Sequence, residues 1–172
     1  AAVQKSVEGQ PLPGQTLVYS IDFQVTDYPE TPGAGADFFT IVDVIPDGMA
    51  FDTTVSLTVN GAPVPITESV IAGPGGGQTT VTWDVADAFG GTLPNGSDGT
   101  LRYEVTILDT YDDGSPVQAA DNLNNNVDLT YTLTDTTKAY LMVENLFDEQ
   151  YQSAAGYGTA DRAFYVGLRA SY

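Results

Sequence analysis

Residues 16–25 read Thr-Leu-Val-Tyr-Ser-Ile-Asp-Phe-Gln-Val, and this stretch decides the fold class. Every second position from Leu17 to Val25 carries an apolar side chain, and polar residues, among them Ser20 and Asp22, lie on the other face. Because successive side chains of a β-strand point to opposite faces of its sheet, the pattern predicts a strand with one buried face.

The same alternation recurs along the chain in short segments that turn residues separate. The clearest repeats are 81–85 (VTWDV), 101–107 (LRYEVTI) and 127–133 (VDLTYTL), with shorter candidates at 38–44 and 55–59. The pair Asn60-Gly61 suits a hairpin turn, and Trp83 shares the apolar phase of its segment, so we expect it in the core. No segment has helical periodicity. The sequence therefore predicts an all-β fold, an antiparallel β-sandwich.

The charge is strongly negative, with 23 acidic residues against 5 basic ones and no His. Nucleic-acid binding needs clustered Lys and Arg, so a nucleic-acid partner is excluded. Only four of the acids and three of the bases follow residue 137, so residues 1–137 carry nearly all the negative charge. Such a surface is soluble and self-repelling, as suits an exposed extracellular module.

The residue types that the chain lacks narrow its chemistry. Without Cys or His it has no disulfides, no thiol catalysis and no Ser–His nucleophile. Carboxylate pairs such as Asp84 and Asp87 are too generic in so acidic a chain to indicate a hydrolase. We therefore expect no enzyme that turns over substrate. No apolar run approaches the roughly 20 residues of a membrane helix, and we expect any signal peptide to have been removed.

Three segments occur in a characteristic order: 13–21 (PGQTLVYSI), 42–49 (VDVIPDGM) and 124–131 (NNNVDLTY). Together they resemble the conserved repeat of bacterial surface proteins and of isopeptide-forming fimbrial subunits, over about Lys5 to Asp135. The resemblance implies an immunoglobulin-like sandwich that serves outside the cell as a stalk, spacer or adhesin part, without catalytic turnover.

Some members of that family join a Lys near the first strand to an Asn near the last, beside an acid. Lys5 is the only Lys before Lys138, and its position between two valines points it inward. Asn125 and Asp43 share the inward phase of their own segments. A buried neutral amine, a carboxamide and a protonated acid are what a single, self-catalysed amide exchange requires. We hypothesise that these three residues converge and form an isopeptide bond.

A second interpretation of the same residues remains open. Lys5 would lie on a frayed first strand with its ammonium in water, since exposed lysines are common. Asn125 would belong to a turn, and Asp43 would accept hydrogen bonds from backbone amides near Pro46.

A weaker site is indicated by Asp109, Asp112 and Asp113, whose oxygens suit Ca²⁺ although their spacing differs from that of an EF-hand loop. The alternative is a solvated turn. The glycine-rich segment 73–77 lacks the Lys and the helix of a phosphate-binding loop and is predicted to be a hairpin loop. Apart from this calcium candidate we expect no cofactor.

The end of the chain differs from the rest. Residues 139–151 read AYLMVENLFDEQY, and 162–168 read RAFYVGL before a terminal Tyr. These phrases resemble the last strands of TonB-dependent outer-membrane receptors, although Asp161 replaces the usual Gly before Arg162. The resemblance implies that Tyr165, Gly167 and Tyr172 belong to a signal that the barrel-assembly machinery reads.

We accordingly divide the chain into an immunoglobulin-like sandwich, 1–137, and a C-terminal hairpin or strand extension, 138–172. Two strands cannot close a barrel, and an open edge is unstable in lipid, so the tail is not a membrane anchor by itself. Three interpretations remain: the end of a larger barrel protein, a hairpin that completes this sandwich or pairs with a neighbouring copy, and an engineered fusion.

The function predicted from these features is a non-enzymatic structural or adhesive module at the surface of a Gram-negative cell, associated with the outer membrane. One alternative is a fibre subunit that polymerises by strand addition. The other is part of an outer-membrane receptor for a small ligand or glycan. The expected partners are other surface proteins or copies of the chain, and, through the tail, the barrel-assembly machinery or the outer membrane.

Overall fold

The computed structural model describes residues 2–25, 35–36, 39–73, 76–118, 121, 123, 125–134, 137–144, 152–154, 157–158 and 163–170. The elements in chain order are β1 Ala2–Glu8, β2 Thr16–Gln24, β3 Gly35–Ala36, β4 Phe39–Ile45, β5 Met49–Val59, β6 Ala62–Val64, β7 Glu68–Ala72, β8 Thr79–Asp84, α1 Val85–Phe89, β9 Leu93–Pro94, β10 Asp98–Ile107, β11 Asn126–Thr134, β12 Thr137–Glu144, β13 Gln152–Ala154, β14 Tyr157–Gly158 and β15 Ala163–Ala170.

Two antiparallel sheets form the body of the molecule. The first has five strands in the order β1-β2-β10-β5-β6, and the second has six in the order β15-β12-β11-β4-β8-β7. The strand pairs β3–β9 and β13–β14 form two further small sheets. The prediction of an all-β antiparallel sandwich is confirmed.

The inward faces of the two sheets build one apolar core. In β2 the alternation of the sequence becomes alternation of burial, with Tyr19 and Ile21 almost wholly buried and Asp22 exposed. Trp83 of β8 is fully buried, as its phase predicts, and its indole nitrogen donates a 2.8 Å hydrogen bond to the Thr54 hydroxyl. Burial of these large side chains is the main stabilising contribution to such a sandwich.

Strand β5 is longer than the segment 55–59 that the sequence indicated. Its pairing with β10 shifts register twice, so Val55 and Asp52 have no partner across the ladder. Each such irregularity interrupts the alternation of apolar and polar residues, so the first half of the strand could not be recognised from the sequence. Beyond β5 the predicted hairpin is present, with positive φ angles of 50° at Asn60 and 76° at Gly61.

A short helix, α1, contradicts the expectation that no helix would be found. It is one turn long, so no apolar periodicity could reveal it. Asp84 caps its first turn by accepting a 2.9 Å hydrogen bond from the amide of Asp87, and Gly90 ends it in a left-handed conformation with a φ of 117°. The Asp84 carboxylate is therefore a helix cap, to which Asp87 contributes its backbone amide.

The C-terminal segment continues the second sheet. Strand β12 pairs with β11 and β15 pairs with β12, so Tyr165 lies opposite Met142 and Gly167 opposite Tyr140. Tyr172, the third residue of the predicted assembly signal, lies outside the described residues. Within the described part of the chain, no helix has the length and apolar character needed to cross a membrane.

We predict that Gly99→Ala destabilises the sandwich. A Cβ at this buried position would lie against the ring of Phe23 and 2.5 Å from the main-chain oxygen of Thr58. Overpacking of this kind costs about 1–3 kcal/mol, which urea unfolding would measure. Ser69→Ala, on the exposed strand β7, is the control and should leave the midpoint unchanged. Equal midpoints for the two variants would contradict this account.

Candidate functional site

Lys5 is the only lysine that the structure describes in the first sheet, and it is buried. It lies in β1 between Val3 and Val7, opposite Ile21 of β2, with its side chain fully removed from solvent. The inward direction follows from strand alternation. Its ammonium nitrogen lies 2.7 Å from Oδ1 of Asp43. The interpretation in which this lysine reaches water is therefore wrong.

Asp43 reaches the same place from the opposite sheet. It lies in the middle of β4, between the neighbouring strands β8 and β11, and its side chain is also fully buried. One carboxylate oxygen accepts from Lys5, and the other accepts a hydrogen bond from the hydroxyl of Tyr103. The carboxylate therefore connects the two sheets through two different partners.

Asn125 completes the group from the residue just before β11. Its carboxamide nitrogen Nδ2 donates a 3.4 Å hydrogen bond to the Tyr103 hydroxyl oxygen, and its main-chain oxygen lies 3.5 Å from the Lys5 nitrogen. Its carboxamide oxygen Oδ1 is buried and has no hydrogen-bond partner among the residues that the structure describes. Leaving such an atom unpaired costs about 1–3 kcal/mol, so this oxygen marks an arrangement that is not built for stability alone.

Aromatic rings enclose the group. The rings of Tyr19 and Tyr103 stack with their centroids 5.3 Å apart, and the Lys5 nitrogen lies 4.7 Å from the centroid of Tyr19. Trp83 packs against Tyr103 at a centroid distance of 5.0 Å. This wall excludes water, which strengthens every electrostatic interaction inside it and disfavours isolated charges.

The surroundings change the acidity of both the amine and the phenol. Burial lowers the pKa of Lys5, and the attraction of the Asp43 carboxylate opposes that change without cancelling it. Burial, together with the charge of Asp43, raises the pKa of Tyr103 well above its ordinary value. The amine is thus pushed toward its neutral, nucleophilic form, and the phenol keeps its proton.

The structure brings together the three residues that the sequence analysis proposed for an isopeptide bond, Lys5, Asp43 and Asn125. Sequence reasoning missed Tyr103, the residue that contacts both the acid and the carboxamide. Its position in the apolar phase of residues 101–107 indicated an inward side chain, but nothing in the pattern indicated what its hydroxyl would meet.

The aspartates proposed for calcium have other partners. Asp113 accepts hydrogen bonds from the amide and hydroxyl of Ser115, which lower its pKa. The amide of Asp112 donates to the Asp47 carboxylate, and the main-chain oxygen of Asp109 accepts from Val117. Over the described residues, no group of three acidic side chains is arranged to hold a metal ion. The calcium site stays a prediction from the sequence.

No protein-family model matches the chain. Over 88 residues it is 28% identical to the vitamin B12 transporter BtuB of Vibrio cholerae, a match that covers 51% of this chain but 13% of the transporter.

Among solved structures, the fold is similar to that of three major pilins. The full-length pilin SpaD of Corynebacterium diphtheriae aligns with a TM-score of 0.59 at 14% identity, over 83% of this chain and 34% of that one. SpaA of the same organism gives 0.56 at 10% identity, over 84% and 38%. BcpA of Bacillus cereus gives 0.52 at 13% identity, over 77% and 35%. The chain thus has the fold of a pilin domain and spans about a third of these proteins.

We predict that stability falls at alkaline pH because buried tyrosines retain their protons. Burial raises the pKa of Tyr19 to about 12 from an ordinary 10.0. Below the ordinary pKa of tyrosine, the contribution of Tyr19 to the free energy of unfolding is fully present. It is lost as pH rises toward the pKa of Tyr19 in the folded chain, and the loss is on the order of 2 kcal/mol. Tyr19→Phe should flatten the decline of unfolding free energy between these pH values, as followed by urea unfolding. An unchanged slope would contradict the assignment.

Proposed function

We propose that the chain is a non-enzymatic structural module of a cell surface, whose two sheets are joined covalently by an isopeptide bond between Lys5 and Asn125. The observation that carries the proposal is the buried contact of Lys5 with Asp43, next to the main-chain oxygen of Asn125 and within an aromatic wall. The Asn125 carboxamide is hydrogen-bonded to Tyr103, whose hydroxyl also contacts Asp43. Among the described residues, no other site places an amine of lowered pKa together with a carboxyl group and a carboxamide away from water.

The reaction conserves atoms and protons. The Lys5 ammonium passes one proton to the Asp43 carboxylate across their 2.7 Å contact, which leaves a neutral amine. The amine nitrogen attacks Cγ of Asn125, and the carbonyl electron pair moves onto Oδ1. As the pair returns, the bond from Cγ to Nδ2 breaks, and ammonia leaves with one proton from the original ammonium. The second proton stays on Asp43.

Such a bond suits a module that carries load. Among the described strands, β1 is an edge strand with β2 as its one neighbour, so hydrogen bonds alone hold it weakly at the margin of its sheet. A covalent link from β1 to the start of β11 closes a loop of most of the sandwich and restricts the unfolded chain, as a disulfide does. The similarity in fold to major pilins supports this assignment, and the structure of one of them, SpaA, is described as pointing to a modular pilus assembly with stabilising isopeptide bonds.

We predict that the intact mass of the purified chain is lower than the sequence mass by one ammonia. The change follows from the loss of Nδ2 from Asn125, and mass spectrometry of the protein and of its tryptic fragments would detect both the loss and the branched peptide. An unshifted mass would refute the bond.

The controls separate the bond from the ion pair. Asn125→Ala keeps Lys5 and Asp43 but removes the electrophile, so it should show no ammonia loss and should melt at a lower temperature. Gln4→Ala changes an exposed neighbour on the same strand and should retain both the mass loss and the melting temperature. Ammonia loss in Asn125→Ala would place the reaction elsewhere.

A second candidate function is a fibre subunit that assembles by strand addition. Strand β7 ends the second sheet, with β8 as its partner among the described strands, and it exposes Val70 and Ile71. Bare apolar edges are templates for pairing with another chain.

We predict that Ile71→Lys weakens any self-association, because a charge on an edge strand opposes strand pairing. Sedimentation velocity over a range of concentrations would compare the variant with wild type. Leu12→Lys changes an exposed apolar residue between β1 and β2, outside the strands, and is the control. A wild-type chain that stays monomeric at every concentration would count against the fibre function.

The location of the module is also part of the proposal. A Gram-negative surface and an outer-membrane association rest on the resemblance of residues 138–172 to receptor ends, with support from the partial identity to a vitamin B12 transporter. In that proposal the tail is a hairpin that extends the second sheet through β12 and β15, and the receptor role remains the third alternative.

A further inference from the structure

Tyr103 occupies a position that the cross-linking chemistry described above does not use. Its hydroxyl donates to one oxygen of Asp43 and accepts from Nδ2 of Asn125, at 3.4 Å. It therefore lies between the acid that collects a proton from the amine and the nitrogen that must leave with one. The other oxygen of Asp43 faces the Lys5 nitrogen, on the far side of the carboxyl group.

We propose that Tyr103 is a catalytic residue of bond formation, the relay that carries a proton from Asp43 to the departing nitrogen of Asn125. The inference rests on the proposed function, and it assigns a chemical role to a residue otherwise regarded as core. Among the described contacts, the Asp43 carboxyl group touches the amine and Tyr103 but not the carboxamide directly, so the phenol is the hydrogen-bonded connection between them.

The relay moves two protons in one direction. The Asp43 carboxyl group first turns about its Cβ–Cγ bond, so that the oxygen that took the Lys5 proton faces Tyr103. When the tetrahedral adduct of Lys5 and Asn125 collapses, Nδ2 takes the phenol proton, and the Tyr103 oxygen takes the proton from that Asp43 oxygen. The bond from Cγ to Nδ2 breaks, and ammonia leaves. The former Lys5 nitrogen keeps one proton as the amide N–H and gives its surplus proton to the Asp43 oxygen that now faces it. Tyr103 ends as it began, with its proton, so no other reactant is needed.

The geometry also explains why the phenol is suited to the role. The side chain is held by the stack with Tyr19 and by Trp83, so its hydroxyl has little freedom to turn away. Because burial keeps the Tyr103 phenol protonated, the phenol can donate its proton to Nδ2 once Asp43 is able to supply another proton to the phenol oxygen. Positioned acids of this kind accelerate proton transfer by roughly a hundredfold to ten-thousandfold.

The test follows bond formation in time by intact mass. Chain recovered unfolded and uncross-linked in urea from inclusion bodies is diluted into buffer, and samples are quenched in acid at intervals. Tyr103→Phe should fold, as circular dichroism would report, but should lose ammonia roughly a hundredfold more slowly than wild type. Tyr111→Phe removes a phenol that also donates to a carboxylate, that of Asp121, outside this group, and should react at the wild-type rate.

A second measurement distinguishes a relay from a structural role. In heavy water the wild-type reaction should slow more than that of Tyr103→Phe, because two protons move in the relay. Equal rates for wild type and Tyr103→Phe would overturn the relay and leave the isopeptide bond intact. A wild-type chain that never loses ammonia would overturn both. If Tyr103→Phe does not fold, the test rests on the wild-type chain alone. A wild-type rate of ammonia loss that is the same in heavy water and in ordinary water would overturn the relay.

Tyr19→Phe provides the remaining comparison. The Tyr19 hydroxyl also interacts with Asn125, but among the described contacts it makes no hydrogen bond to the Asp43 carboxylate. The relay therefore predicts a smaller effect than that of Tyr103→Phe. If the two variants react equally slowly, the phenols merely hold the carboxamide, and the relay is refuted.

Discussion

The buried ion pair between Lys5 and Asp43 is the interaction on which the rest of the structure depends. It joins an edge strand of one sheet to a central strand of the other, and both side chains are fully removed from water. A buried pair is seldom a source of net stability, since desolvation costs several kcal/mol per ion. Its presence in the middle of an apolar core is therefore the basis of the proposed chemistry, in which the neighbouring carboxamide and phenol take part.

The aromatic wall has two consequences that act together. It excludes water, which depresses the pKa of the Lys5 amine, and it holds the Tyr103 hydroxyl between Asp43 and Asn125. The proposed reaction occurs once, inside the core of the module, and would need no substrate pocket and no turnover. That agrees with a fold similar to those of major pilins and with an acidic exterior that lacks His and Cys.

Most of the sandwich could be predicted from alternation alone, because β2, β8 and β10 are regular strands with one buried face. The first half of β5 could not, since two register shifts interrupt its pattern, and α1 could not, since one helical turn has no period to detect. The inward phase of Lys5, Asp43 and Asn125 was readable from their neighbours. The role of the Tyr103 hydroxyl could not be read from the sequence, because alternation specifies which face of the sheet a side chain lies on but not which atoms it contacts.

By itself the sequence determined the all-β class, the inward direction of Lys5, Asp43 and Asn125 and the lack of thiol chemistry, because these depend on local period and composition. Only the tertiary structure decided which residues meet. Lys5 and Asn125 are 120 positions apart, and strand pairing and sheet packing alone bring them together. The same holds for the C-terminal strands: their alternation indicated that they need a sheet edge to pair with, and the packing of the chain put β12 beside β11 and β15 beside β12.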